Sequence, residues 1–277
     1  MLALNLLDKL FVKQPRFREF VTRVIYGAKD TDVELFHRSL RINSLKENGY
    51  LRAAKAAWKN SLLRDETIIL QRIMLFLEND MTFLDVGANI GIFSACMSDV
   101  SNLYDKFEVV AFEAHPQTFA RLAENAGRHN FRAINFALGP KEGEIAFVEG
   151  AVSGVTTTVA NANRYSIAGR TLSLPMRRLD SFDFNGNLFI KIDVEGQEFD
   201  VLDGASGLFD AGRVKAVYID GFEDDVRVTD FLARYGMKLL NLLDLKPTTE
   251  PVFNLLALSQ DGGRSRAASR DSDHAEG

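Results

Sequence analysis

Cysteine is almost missing from this chain of 277 residues, where Cys96 stands alone. No disulfide framework can form within it. With four histidines and no Cys/His cluster, it offers no zinc site either. A single thiol is the usage of a reducing compartment, so a cytoplasmic location is expected. Long apolar runs are also lacking. No stretch of about 20 residues is free of polar groups, so no membrane span is expected. The apolar start, Met1 to Phe11, is interrupted by Asp8 and Lys9, and no A-x-A pattern follows, which speaks against a signal peptide. A surplus of basic charge is absent: 33 Lys and Arg face 38 Asp and Glu, a net charge of -5. No nucleic-acid partner is expected from that balance. What remains is ordinary globular composition, 46% apolar and 26% charged, in a length that suits one large domain or two small ones.

Periodicity divides the chain into three parts. Residues 1–80 read as a mainly helical cap with a short hairpin. Ala3, Leu6, Leu7, Leu10 and Phe11 keep helical spacing. A second helix begins at Pro15, carries Phe17, Phe20, Val21, Val24 and Ile25 on one face, and stops at Gly27. That face is expected to pack on the core, with a membrane or partner contact as the alternative. Alternation over Val33–Asn43 predicts the hairpin, and Tyr50–Asn79 reads as one helix. Residues 81–259 alternate strands with helices. Strands are expected at Thr82–Val86, Glu108–Phe112, Ala133–Leu138, Leu188–Asp193, Val214–Ile219, Met237–Leu243 and Phe253–Leu258. Such alternation predicts a doubly wound α/β fold with a mostly parallel sheet. Gly143–Leu179 breaks the rhythm and reads as an elaboration beside the sheet. Residues 260–277 hold no Val, Ile, Leu, Met, Phe, Tyr or Trp, and are expected to be a disordered tail.

Three segments carry chemistry. In Phe83-Leu-Asp-Val-Gly-Ala-Asn-Ile-Gly-Ile-Phe93 a buried strand meets a turn with Gly87 and Gly91, then a helix whose first amides are expected to be free for a ligand. Only two glycines of the dinucleotide fingerprint are matched. Asp85 at the strand end would repel a pyrophosphate, yet suits a ligand carrying an ammonium and a sulfonium. In Val109-Val-Ala-Phe-Glu-Ala-His-Pro116, Glu113 ends the second strand, where a carboxylate can accept both ribose hydroxyls. His115 reads as a helix cap or rim residue, with a catalytic role as the lesser alternative. In Leu188 to Ala205, Lys191 and Asp193 share one strand face. They are either a buried ion pair or functional groups, with Glu195 and Glu198 following at the same mouth.

Asp85-Val-Gly-Ala-Asn-Ile-Gly91, Phe112-Glu113 and Lys191-Ile-Asp-Val-Glu-Gly-Gln-Glu198, with Val201-Leu-Asp-Gly-Ala205, resemble the FkbM-type methyltransferases, a branch of the class I S-adenosylmethionine-dependent enzymes. The resemblance runs from about Thr82 to Ser259 and includes Arg178-Leu-Asp-Ser181. Two positions depart: Ala114 stands for a common proline, and Asp220 for an expected glutamate. The resemblance implies a seven-stranded sheet ending in an antiparallel hairpin. It implies S-adenosylmethionine as cofactor, with Asp85, Gly87 and Gly91 around its methionine part. Asn89 belongs to the same turn, Glu113 takes the ribose, and Ala137 within Asn135–Leu138 lies near the adenine. The implied reaction is O-methylation of a sugar, glycan or natural-product hydroxyl.

Asp193 is the first candidate for the base that takes the hydroxyl proton, Lys191 would orient it, and Glu195 is the alternative base. Asp193, Glu195 and Asp220 are hard oxygen ligands, but they form no metal motif, and no metal is assigned. A nicotinamide-dependent oxidoreductase and a non-catalytic cofactor-binding adaptor are the competing readings.

Overall fold

A computed structural model describes residues 15–55, 64–149, 157–158, 170–221, 225–250 and 252–260. The helix expected over 1–11 and the tail expected over 260–277, apart from its first residue, lie outside these residues. The first described helix, α1 (Pro15–Tyr26), begins at the expected proline and ends at Gly27, whose φ of 73° closes it. Among the described residues its apolar stripe joins neither core cluster. Phe20, Val24 and Ile25 are 63%, 68% and 64% exposed. Of the side chains whose burial is described in this helix, Thr22 alone is buried.

The hairpin forms from β1 (Asp30–Leu35) and β2 (Arg38–Asn43), beginning three residues before the expected start. Val33, Leu35, Leu40 and Ile42 alternate inward and are buried, while the other side faces out. Phe36 and His37 make the two-residue turn, both with positive φ (50° and 61°). Asn125 then fastens the hairpin to the rest. Its side chain accepts from the Arg41 amide at 2.7 Å and donates to the carbonyls of Arg41 (3.2 Å) and Ile90 (2.8 Å).

Of the long helix expected over Tyr50–Asn79, the described residues form α2 (Asn48–Lys55) and α3 (Arg64–Ile73), and one 3-10 turn (Met74–Phe76) ends it before the expected Asn79. Leu77 is already extended, and Asp80 at φ 57° turns the chain into the sheet. The polar run Glu78-Asn79-Asp80 gives the helix no apolar residue to bury there.

The main sheet contains β3 (Met81–Val86), β4 (Glu108–Phe112), β5 (Arg132–Ile134), β10 (Asn187–Ile192), β11 (Val214–Asp220), β12 (Lys238–Asn241) and β13 (Asn254–Leu258). Its order is β12-β13-β11-β10-β3-β4-β5, seven strands in all, and only β13 runs against its neighbours. This is the expected fold class, a doubly wound α/β sheet whose last two strands are antiparallel. β13 slots between β11 and β12 rather than closing the edge.

Alternation loads the two faces differently. Phe83, Phe189 and Tyr218 bury against the hairpin, α2, α3 and α4 (Ile92–Val100). Leu84, Ile190 and Val217 bury against α6 (Glu198–Asp203), α7 (Ser206–Asp210) and α8 (Val226–Arg234). The N-terminal segment therefore shares one core with the sheet. Between β4 and β5 lies α5 (Pro116–His129).

The strand expected over Ala133–Leu138 splits. β5 ends at Ile134, and β6 (Ala137–Leu138) belongs to a second sheet with β7 (Gly143–Glu149), β8 (Thr157–Thr158) and β9 (Arg170–Arg177), in the order β6-β9-β7-β8. The break is made by Asn135, whose amide donates to the carbonyls of Glu113 (2.7 Å) and Ala114 (3.0 Å) and turns the chain off the sheet edge. The second sheet is the expected elaboration over Gly143–Leu179. Arg178 binds Asp180 at 2.6 and 2.9 Å and the carbonyls of Pro140 and Asp203, so the Arg178–Ser181 motif fastens this sheet to the end of α6.

The turn at Phe36-His37 holds a fully exposed histidine side chain in a left-handed conformation that glycine adopts without strain. His37→Gly is expected to stabilise the protein by about 0.5–1 kcal/mol in urea denaturation, since φ > 0 costs a non-glycine residue about 1–2 kcal/mol and the added freedom of glycine in the unfolded chain takes back part of that gain. A destabilisation would show that the hairpin does not use this turn.

Candidate functional site

A cavity of about 280 Å³ opens where β3, β4, β10 and β11 end. This is the carboxyl edge of the sheet, where open α/β folds hold ligands. The turn after β3 forms its floor. Tyr50 of α2 and Glu66 of α3 wall one side, and Phe136, Leu138, Ile145 and Phe147 wall another.

Of the residues singled out from sequence, Gly87, Asn89, Glu113, Ala137, Lys191, Asp193 and Glu195 all line this cavity. Asp85 and Gly91 do not. Asp85 is fully buried beneath it. One of its oxygens takes the Lys191 ammonium at 2.9 Å, and the other accepts from the amide and hydroxyl of Ser94 at 3.1 and 2.7 Å. Its charge is committed inside the protein and does not face a ligand. Gly91 sits at φ 87°, and a Cβ there would meet Leu122 at 2.7 Å and the Phe131 ring at 3.0 Å. Its role is to let the turn lie close on α5. At Gly87 a Cβ would come within 1.9 Å of the Asp193 carbonyl, so this glycine lets the end of β10 cross over the turn.

Most amides of the turn itself are taken, while those of Ile92 and Phe93, the first of α4, donate to no acceptor among the described residues, as the sequence expectation has it. Those of Gly87 and Ala88 donate to the Phe112 carbonyl, that of Gly91 to Ala88, that of Asn89 to Glu113, and that of Ser94 to Asp85. The turn closes by hydrogen bonding to β4 and to itself, which fixes its shape.

Glu113 is held from both sides: its oxygens accept from the backbone amides of Asn89 (3.0 Å) and His115 (2.8 Å). Burial nevertheless pushes its pKa up to about 7, against the pull of those two bonds. His115 is the N-cap of α5, its ring accepting from Thr118, which is the bland role weighed for it.

Lys191 is 2% exposed, with Asp85 at 2.9 Å and Asp193 at 3.5 Å, and its ammonium lies 4.9 Å from the centre of the Phe93 ring. Burial opposes its charge, but Asp85 and Asp193 outweigh it and raise its pKa. Its closer partner is thus Asp85, not Asp193 as the strand pattern alone suggested. The Asp193 side chain is 46% exposed and open to the cavity.

Carboxylates crowd this end. Burial, then the Asp193 charge, lift Asp220 to about 6, and burial followed by Asp193 and Asp220 raises Glu195. Glu198 does not line the cavity; it is buried, accepts from the Gly196 amide, and is raised to about 7 by desolvation. Among the described residues, no group of three or more His, Cys, Asp or Glu is arranged to hold a metal ion.

Sequence reasoning missed Tyr50 and Glu66, which carry no motif. Asp220 was noted only as a departure and a weak metal ligand. Its two-residue spacing from Tyr218, on the strand face that carries Lys191 in the next strand, was a usable signal.

The described residues include no helix long and apolar enough to cross a membrane. Compared with known proteins, residues 85–239 match the family model of the FkbM methyltransferase domain. The hexuronic acid methyltransferase AglP of Haloferax volcanii is 27% identical over 189 residues, covering 66% of this chain and 74% of its own. A solved FkbM methyltransferase from Methylobacillus flagellatus aligns at 16% identity with a TM-score of 0.42. That match covers 74% of this chain and 47% of the other, so this chain spans about half the length of that relative. An O-methyltransferase from Bacillus cereus, solved with SAH, aligns at 11% identity with a TM-score of 0.38, over 79% of this chain and 92% of that one.

The geometry separates two carboxylates by role. Asp85→Asn leaves the buried Lys191 ammonium without its main counter-charge and is expected to cost about 3–5 kcal/mol in chemical denaturation. Asp193→Asn, at a half-exposed site 3.5 Å from the same ammonium, is expected to cost less than about 1 kcal/mol. Equal losses would mean that the pairing is shared rather than centred on Asp85.

Proposed function

The chain belongs to the FkbM methyltransferase family, and on that premise we propose that it uses S-adenosylmethionine to methylate a hydroxyl of a sugar, glycan or other natural product. The observation that carries this reading is Glu113. It is a carboxylate fixed by two backbone amides at the end of β4, facing a cavity that further acidic side chains and an apolar wall also line.

The residues present fit such a cofactor. Glu113 can accept hydrogen bonds from a pair of vicinal hydroxyls. Phe136, Ala137 and Leu138 give a planar base an apolar wall. Asp193, Glu195 and Asp220 provide a negative field for a cationic donor. Bound, S-adenosylmethionine supplies an already activated methyl group. The protein's task is then to align the acceptor, exclude water and take up a proton. Asp193 is suited to that last role, because it lies open to the cavity and is oriented by Lys191 without being buried against it. Lys191 acts through Asp85 and Asp193 as a positioning residue.

A sugar acceptor is supported by the Haloferax relative, whose name assigns it a hexuronic acid. The acidic crowd at the mouth of the cavity disfavours polyanionic acceptors such as RNA. A nicotinamide enzyme on this sheet would need pyrophosphate contacts, and the amides of Gly87, Ala88, Asn89 and Gly91 in the turn are already bonded. The non-catalytic alternative predicts cofactor binding without turnover, and a screen of sugars and nucleotide sugars with labelled methyl donor decides between them.

Glu113 gives the cofactor reading a pH signature. With its pKa near 7, the better-accepting ionised form is lost as pH falls. Affinity for S-adenosylhomocysteine is therefore expected to rise with pH through about 7 and level off above it, by up to about tenfold per unit on the acid side. Glu113→Ala should flatten that profile and weaken binding by about 10–100-fold in calorimetry. Unchanged affinity would remove the ribose assignment.

Asp193→Asn should lower turnover by about 10²–10⁴-fold while cofactor affinity stays within a few-fold. Normal turnover in that variant would move the base to Glu195 or Asp220.

A further inference from the structure

The acidic cavity poses a problem for any donor that ends in an amino acid. Such a ligand carries a carboxylate as well as an ammonium. Glu66, Glu113, Asp193, Glu195 and Asp220 all line the cavity. The lining lysine, Lys191, is already shared between Asp85 and Asp193. The amides of Gly87, Ala88, Asn89 and Gly91, which usually serve this purpose in a glycine turn, donate to protein acceptors. The amides of Ile92 and Phe93 at the start of α4 donate to no acceptor among the described residues, so an anionic group entering here has few donors and gains from a further one.

Tyr50 supplies one. It comes from α2, outside the span matched by the family model, and lines the cavity beside the turn. Its hydroxyl oxygen accepts from the Asn89 side-chain amide at 3.2 Å, and among the described residues its own hydrogen donates to no protein acceptor. A phenol that accepts one bond from a fixed amide has its remaining hydrogen free to turn into the cavity. Burial, with the Asp193 charge adding to it, pushes the phenol pKa above that of an ordinary tyrosine, so the group stays a donor.

We propose that Tyr50 is a cofactor-binding residue contributed by the N-terminal segment, its hydroxyl donating to the carboxylate of the methionine moiety of the donor while Asn89 holds the ring oxygen in place. The inference rests on the S-adenosylmethionine reading above. It gives the segment before the matched domain a direct part in donor binding.

The test is calorimetry with two ligands on the full chain. One is S-adenosylhomocysteine; the other is its decarboxylated analogue, S-(5′-adenosyl)-3-thiopropylamine, which keeps the ammonium and lacks the carboxylate. The wild-type chain is expected to prefer S-adenosylhomocysteine by about tenfold, the scale of one hydrogen bond from a neutral donor to a charged acceptor. Tyr50→Phe is expected to lose that preference, weakening S-adenosylhomocysteine about tenfold and the analogue by less than about twofold. A loss of the same size for both ligands overturns the proposal, since it makes Tyr50 only a brace for Asn89. No loss for either, or no wild-type preference, overturns it as well. The wild-type comparison needs no variant to fold. A wild-type chain that binds neither ligand overturns instead the cofactor reading on which the proposal stands.

Discussion

One buried ammonium organises this protein. Lys191 and Asp85 are register partners near the carboxyl ends of adjacent strands β10 and β3, and neither reaches solvent. Burying two charges is unfavourable unless each is fully satisfied. Here Asp85 receives three donors, from Lys191 and from the amide and hydroxyl of Ser94, while the ammonium has two carboxylates and lies near an aromatic face. The pair therefore joins β3, β10 and the first turn of α4 at one point. The glycine turn above it then has little freedom, and the chain leaving β10 crosses Gly87 at backbone contact. The shape of the cavity floor follows from that lock.

On this floor the cavity gathers more negative charge than an unliganded protein would favour. Asp220, Glu113 and Glu195 are all raised, chiefly by burial, and the open Asp193 adds to the effect on each. Such crowding is destabilising in isolation and is a common mark of sites built for a ligand of opposite charge. It also explains why sequence reasoning assigned Asp85 to the ligand. A carboxylate at the end of β3 looks like one more member of the crowd, and only its register against Lys191 shows that it belongs to the core.

Where a physical rule acted locally, the sequence was readable. Alternation located the hairpin and the sheet strands. The spacing of Gly87, Gly91 and Glu113 located the cavity. The features that were not readable depend on distant partners. The amphipathic α1 looks like a packed helix, but among the described residues its stripe belongs to neither core cluster. Ala133–Leu138 looks like one strand, and only the bonds from Asn135 to the carbonyls of Glu113 and Ala114 divide it between two sheets. Tyr50 carries no pattern at all, because its position beside Asn89 results from how α2 packs over the turn.

That division at Asn135 and Phe136 has a consequence for how such an enzyme changes over generations. The second sheet supplies Ile145 and Phe147 to the cavity, yet it leaves the first sheet through a two-residue crossing. Insertions or deletions in β7 to β9 do not shift the register of β3, β4 or β10, since no ladder connects them. The lining on that side is free to drift and be reselected while the glycine turn and the ends of β3, β4 and β10 are inherited unchanged.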